Sequence, residues 1–433
     1  MSDSPTPDTP ASFRWAPWWV IAFVATWPGR GVAAGILVLG ALVACGLLIR
    51  QRFRGGSRYL SHEAWALTSV LFLAYWLPEA FSLLGAVDPR ETAENVVGHL
   101  VYLPALWLAA MAVADARGRR IAFNGIAAVV GIWTLDALVQ AVTGWSLGGH
   151  LPGEVDRING IFGADGNFKL GIVIASLAPF PLAAAARRLG TAGWVLAAGA
   201  MFVVVLLAGS RASWLTYALV LAVSGWVLLG LKRALLVLVL GAGVVGGLAV
   251  SVSDRLMARM ERTEAALSGE EEGVDHALSG RLAIWTVAGR MALDHPLTGV
   301  GVRGFRCAYP DYAEPGDQFL REGGGSRCDG RPYGAFHAHQ IVLEILSETG
   351  LAGMVLWLFG VALALRAWFV ASTAARLRAA VPGLALAVTV FPLNTHLATY
   401  STFWGGVTLL LAALFAGTLL ARDAPRAAVR PGA

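Results

Sequence analysis

Apolar runs of roughly twenty residues recur along this chain, separated for most of its length by short polar stretches. They lie near 15–27, 32–49, 63–85, 97–114, 121–143, 168–186, 192–208, 212–230, 233–251, 350–371, 380–399 and 403–421. A helix needs about 20 apolar residues to cross a hydrocarbon core, so the pattern predicts an all-α, polytopic integral membrane bundle of about twelve transmembrane helices. Pro28-Gly29 leaves 15–49 open as a hairpin of two helices or as one span with a re-entrant start. One segment breaks the rhythm. Residues 252–349 are mostly polar with helical stretches, which divides the chain into an N-terminal tail (1–14), helices one to nine (15–251), a long loop (252–349), helices ten to twelve (350–421) and a C-terminal tail (422–433).

Composition agrees. With 57% hydrophobic and 14% charged residues and a mean hydropathy of +0.63, the chain is too apolar for a water-soluble globule. The basic residues add direction. Arg14, Arg50, Arg52, Arg54, Arg58, Arg117, Arg119, Arg120, Arg187, Arg188, Lys232, Arg233, Arg366, Arg376, Arg378, Arg422, Arg426 and Arg430 fall in the tails and alternate connections of one side, whereas the opposite short connections hold only Arg30, Arg90, Arg157 and Arg211. Lysine and arginine beside a span are retained in the cytoplasm, so both termini are expected there and the 252–349 loop on the far side. The net charge of +5 is thereby explained by topology, which leaves a nucleic-acid partner without support. The first thirteen residues lack the basic start and cleavage site of a signal peptide, so the first span is expected to be retained. The tail after Ala421, rich in Arg, Pro and Ala, reads as disordered.

Candidate chemistry collects at the non-cytoplasmic face. Phe336 to Gly350, FHAHQIVLEILSETG, ends the long loop with two histidines and two carboxylates. His337 and His339 flank one alanine and share a face in an extended segment. A helix starting at His339 would hold that imidazole neutral at its positive end, fit to accept a proton. Glu344 and Glu348, one turn apart, are suited to pairing with an arginine or orienting a histidine. A zinc site is the rival reading of His-Ala-His, but no third strong ligand has telling spacing. His62, His99, His150, His276, His295 and His396 are isolated and read as structural or interfacial.

Four cations lie on the same side. Arg211, in Gly-Ser-Arg-Ala-Ser-Trp, sits between two spans with almost no loop and is held at membrane depth, where an arginine pairs, lines a wet cavity or snorkels. Its fork of donors suits phosphate oxygens. Arg281 falls in the first turn of an amphipathic helix capped by Ser279, against the preference of the helix dipole, a placement suited to holding an anion. In that helix Leu282, Trp285 and Ala292 form the face expected to pack on the bundle or lipid. A further interfacial helix is expected at 254–261, and Glu270–Glu272 reads as a solvated turn. Arg157 and Lys169 flank a Gly- and Asn-rich loop able to fold into a cavity mouth. No paired aspartates offer a divalent ion beside phosphates, so arginines are the candidates for stabilising a leaving pyrophosphate. Cys45 lies within a span as inert packing. Cys307 and Cys328 share the outer loop, where an oxidising compartment favours a disulfide that staples the excursion from Glu322 to Gly325.

Taken in order, Arg157-Ile-Asn-Gly-Ile-Phe-Gly, Gly209-Ser-Arg-Ala-Ser-Trp, Ser279-Gly-Arg-Leu-Ala-Ile-Trp continuing to Asp294-His-Pro-Leu-Thr-Gly-Val-Gly, and Ala338-His-Gln-Ile-Val-Leu-Glu-Ile-Leu-Ser-Glu-Thr-Gly resemble the bacterial O-antigen ligase and polymerase superfamily of membrane glycosyltransferases. The resemblance implies a GT-C-like architecture and an inner-membrane enzyme with a periplasmic site. Its donor would be a glycan on undecaprenyl pyrophosphate and, for a ligase, its acceptor the lipid A core oligosaccharide; no cofactor and no metal are implied. By motif, His339 would be the base and Arg211 and Arg281 the pyrophosphate ligands, in an inverting, metal-independent displacement. Gln340 departs from the family's usual asparagine, and His337 stands as a second candidate base. Polymerisation of lipid-linked repeat units is the alternative reaction. A flippase of such lipids, or a transferase to protein, are others.

Overall fold

Serine and aspartate side chains open six of the helices. Ser61, Asp88, Asp115, Ser210, Ser372 and Ser401 each accept the N–H of the residue three further on. They satisfy donors that a helix start otherwise leaves unpaired. The computed structural model describes residues 13–54, 59–152, 157–163, 169–230, 232–233, 241, 281–323, 327–394 and 398–421. The ninth expected span at 233–251 (all but two residues), the helix at 254–261, the turn at Glu270–Glu272, the Ser279 cap, His276, His396 and nearly all of both tails lie outside the described residues.

In chain order the α-helices are α1 (Ala16–Ala25), α2 (Arg30–Arg54), α3 (His62–Ser82), α4 (Pro89–His99), α5 (Tyr102–Ala112), α6 (Ala116–Thr143), α7 (Lys169–Leu177), α8 (Pro179–Leu207) and α9 (Arg211–Leu229). After the undescribed stretch come α10 (Arg281–Asp294), α11 (Phe305–Tyr312), α12 (Ile341–Val370), α13 (Thr373–Thr389) and α14 (Thr402–Leu419). Eight helical segments among the described residues are long and apolar enough to cross a membrane, with α4 and α5 forming one of them. The protein is a polytopic helical membrane protein.

Each predicted span but the ninth has a helical counterpart, and the differences have local causes. The 15–49 region is a hairpin: Trp19 on α1 donates its indole N–H to Ile36 O on α2 at 2.8 Å. Gly190 (φ 60°) interrupts α8, and Gly193 packs back against Ala185, so the chain reverses there and divides α8 into two helical segments, counterparts of the sixth and seventh expected spans. Span four starts earlier than expected, at Pro89 of α4, and bends between His99 and Tyr102. Span eleven ends earlier, since α13 stops at Thr389 and the described residues after it, 390–394 and 398–401, are irregular. Pro392 explains this, because it removes an N–H and biases Phe391 away from helical geometry. Cys45 is exposed on α2 instead of being packed. On α10 the buried residues are Ile284, Val287, Ala288 and Met291, while Leu282, Trp285 and Ala292 are half-buried, so the packing face is the former set and the latter keeps only the lipid-facing alternative.

The outer loop is fastened to the bundle at a break in α12. Gly350 (φ 63°) interrupts that helix and leaves backbone groups without helical partners. Residues 296–301 take them: Val300 and Gly301 donate to Ser347 O and Glu348 O, and Leu351 and Ala352 donate to Pro296 O and Leu297 O, all at 2.8–3.2 Å. A Cβ on Gly350 would come within 2.5 Å of the Leu297 backbone, so only glycine permits the approach. The same segment reaches α3 and α4 through Val302 N–H to Ser82 Oγ and Thr92 Oγ1 to Val302 O. Above it a small core joins Ile284, Val287, Met291, Phe305, Tyr309 and Ala338.

Candidate active site

The loop's last residues set the site. Gln340, extended at φ −158°, is the N-cap of α12, its Oε1 accepting from Leu343 N–H at 2.6 Å. The helix therefore begins after Gln340, and His339 stands outside it instead of opening it as expected. The residue that departs from the family pattern thus acts as a cap, and its Nε2 also reaches Pro392 O at 3.4 Å. His339 has φ 53°, a left-handed conformation unusual for a side chain of its size. Its N–H donates to His337 Nδ1 at 3.2 Å, and the two rings lie 3.9 Å apart.

Glu344 and Glu348 face inward from the first two turns of α12, each 2% exposed. Glu344 Oε2 is 3.6 Å from His337 Nδ1, and its carboxylate also meets the backbone at Thr399 and Tyr400. Glu348 Oε1 accepts from Arg303 N–H at 3.2 Å. Arg303 is itself left-handed (φ 67°), and its carbonyl accepts from Arg306 Nε at 3.3 Å. Arg306 is buried, makes an ion pair with Glu91 at 2.7 Å and covers the Phe336 ring at 5.8 Å. Arg303 and Arg306 were not singled out in the sequence; the signal was the glycine spacing Gly299, Gly301 and Gly304 around them.

Arg211 and Arg281 converge on this place. The guanidinium of Arg281 is pushed down to about 10, first by burial and then by Arg211 beside it. His337 is pushed down to about 3, by burial first and then by Arg303, Arg281 and Arg306. The site is therefore strongly cationic. Arg211 opens α9, and α7 starts alongside, with Gly171 close enough to α9 that a Cβ would lie 2.9 Å from Ser213 Oγ. Lys169, at the head of α7, lies 4.5 Å over the Phe403 ring at the head of α14. The positive ends of three helices thus gather there. Arg157 begins a loop held down by Gln140 of α6, which accepts from Asn159 and Gly160 N–H and donates to His150 O and Asn159 Oδ1 at 2.8–3.1 Å.

Cys307 and Cys328 are joined in a disulfide, Cα to Cα 5.4 Å. Among the described residues, one grouping has ligand types close enough for a metal, Asp88, Glu91 and Cys307. Its sulfur is in the disulfide and Glu91 is paired with Arg306, so that donor set does not fit an ion. A deeper pair not foreseen in the sequence is Glu79 with His99, 2.8 Å apart, both fully buried among Tyr75, Tyr102 and Tyr400.

An apolar cavity of about 750 Å³ opens in the bundle between α3, α8, α9, α12, α13 and α14. Its lining includes Tyr75, Pro179, Trp357, Trp368 and Phe415 and reaches Phe391 and Pro392. Pro392 is the residue that Gln340 touches, so one end of the cavity meets the segment beside His339.

Residues 196–358 match the family described as O-antigen ligase. That segment includes Arg211, Arg281, Arg303, Arg306, His337, His339, Glu344 and Glu348, and the resemblance seen in the sequence holds over it; Arg157 and Lys169 precede it. No curated protein matches the chain.

Proposed function

From that family match, we propose that this protein is an O-antigen ligase of the bacterial inner membrane. It transfers O-antigen polysaccharide from undecaprenyl pyrophosphate to the lipid A core oligosaccharide at the periplasmic face. The observation that carries the reading is the gathering, inside the matched segment, of His337 with Arg281 and of Arg281 with Arg211, next to a segment whose Gln340 touches Pro392 in the lining of the apolar cavity. Two neighbouring guanidinium groups repel, and a pyrophosphate between them converts that repulsion into paired charge-assisted hydrogen bonds. Arg157 and Lys169 add positive charge at the approach. The cavity has the character required by a polyprenyl chain.

In the reaction, the acceptor hydroxyl gives its proton to the imidazole of His339 while its oxygen attacks the anomeric carbon. The bond from that carbon to the pyrophosphate oxygen breaks, and the charge that develops there is met by Arg211 and Arg281. The anomeric centre inverts, and no metal ion enters this scheme. Glu344 and Glu348 support the loop and helix that present the histidines.

The test is lipopolysaccharide gel analysis of a strain lacking the gene, complemented with wild type or His339→Ala. The expected result is rough lipopolysaccharide with full-length lipid-linked polymer accumulating, restored to a ladder by wild type only. Accumulation of single repeat units would instead identify a polymerase, and a normal ladder without the gene would point to a different acceptor or to transport.

A further inference from the structure

We infer that His337 is a positioning residue, whose ring nitrogen holds His339 in its left-handed backbone by accepting the His339 N–H; this rests on the reading of His339 as the base. The geometry is that of an Asx turn, in which an asparagine or aspartate oxygen accepts the N–H two residues on, with imidazole Nδ1 in the oxygen's place. A left-handed residue that is not glycine costs about 1–2 kcal/mol and persists only where neighbours enforce it. Here the enforcement comes from both sides: Nδ1 of His337 before it, and the extended Gln340 cap after it.

The hydrogen bond also fixes the tautomer. Nδ1 accepts, so the His337 proton resides on Nε2, and a second proton on Nδ1 would face the His339 N–H and open the turn. The groups around the ring favour the neutral form. Burial acts first, then Arg303 from the segment before α11, Arg281 from α10 and Arg306 from α11, while Glu344 is the acidic group facing the ring from α12. Glu344 Oε2, at 3.6 Å from Nδ1, is outside hydrogen-bond range, which separates this arrangement from a carboxylate-oriented catalytic histidine, where Nδ1–H donates to the carboxylate. A ring held neutral down to about pH 3 is a poor proton acceptor for turnover near neutrality. The base is then the residue His337 aims.

The test compares His337→Asn, which replaces the acceptor, with His337→Leu, which fills the space without one, in the full-length enzyme with lipid-linked donor. His337→Asn is expected to retain kcat within about threefold of wild type with an unshifted pH profile. His337→Leu should lose kcat by about 30-fold or more, with donor KM within about twofold, as misplacement of a reacting group does. Equal inactivity of the two variants would overturn the proposal. A readout independent of activity is ¹⁵N-histidine NMR of wild type and His337→Asn in lipid nanodiscs. The His337 signal should report neutral Nε2–H imidazole from pH 8 to pH 5, and an imidazolium signature in that range would overturn the turn even if His337→Leu failed to fold. Activity in His339→Ala would sink the base assignment instead, and the NMR result would still decide the role of His337.

Discussion

Two residues at the site, Arg303 and His339, adopt backbone conformations that their side chains disfavour, and each is held by a hydrogen bond from its own N–H. Such strain is stored where surrounding structure over-determines it. The charges follow the same logic, since Arg281 and Arg211 are pressed together in a partly buried setting that suits a ligand of opposite sign. Replacing either by alanine should raise KM for the lipid donor by about 10- to 100-fold, the loss of about 1.5–3 kcal/mol of charge-assisted hydrogen bonding, with little change in thermal stability. Donor titration by tryptophan fluorescence checks this, and unchanged affinity would remove these arginines from the pyrophosphate site. His337 carries a pH signature. Its folded value of about 3 lies below the ordinary histidine value near 6.5, so the unfolded chain binds the extra proton between those limits. Stability is then complete above about pH 6.5 and falls with acidification, by about 2 kcal/mol at pH 5. Unfolding temperatures of wild type should drop more between pH 7 and pH 5 than those of His337→Asn, and equal drops would contradict the assignment.

Among the elements, the break in α12 is what joins loop to bundle. Gly350→Ala would meet Leu297 backbone atoms at 2.5 Å in a left-handed conformation, detaching 296–301 from the helix. Gly131→Ala in α6 meets nothing within 4 Å and should be neutral or mildly stabilising, up to about 1 kcal/mol. A thermal-shift comparison in detergent should show Gly350→Ala well below wild type and Gly131→Ala at or above it; parity of the two would dissolve the account of the junction. The contrast also marks what was legible in the sequence. The spans could be read because twenty apolar residues in a row have few other fates, and Arg211, Arg281 and the histidine pair because polar residues at such places need a reason. The buried face of α10 could not be read, since apolar residues occupy both sides of it and the partner segment that selects Ile284 and Met291 is distant in the chain. Arg303 was hidden because its contribution lies in a backbone dihedral and an N–H, neither of which a residue type announces. The pairing of His99 with Glu79 was not legible for a similar reason: the two belong to different helices and meet only in the fold.

Across the whole molecule, polarity runs from one face to the other. The start of α3 meets the end of α14 through Ser61 and Leu420, Arg378 of α13 donates to Ala421 O, and Arg187 donates to Asn124 Oδ1 on α6. These contacts bring arginine-bearing ends together on one face, the arrangement that cytoplasmic retention of basic residues produces. The opposite face carries the histidine pair, the converging helix starts and the Cys307–Cys328 disulfide, and a disulfide belongs in an oxidising compartment. Both arguments support the proposed periplasmic placement of the site, and they are independent, one resting on insertion and the other on redox chemistry. Single cysteines introduced in a Cys45→Ala background decide the matter. Glu314→Cys, on the exposed side of the outer loop, should react with a membrane-impermeant maleimide in intact spheroplasts. Leu377→Cys, exposed on α13 beside Arg378, should react only after the membrane is opened. The reverse pattern would invert the topology and put the site beyond reach of a periplasmic acceptor, so ligation to lipid A core would fall with it.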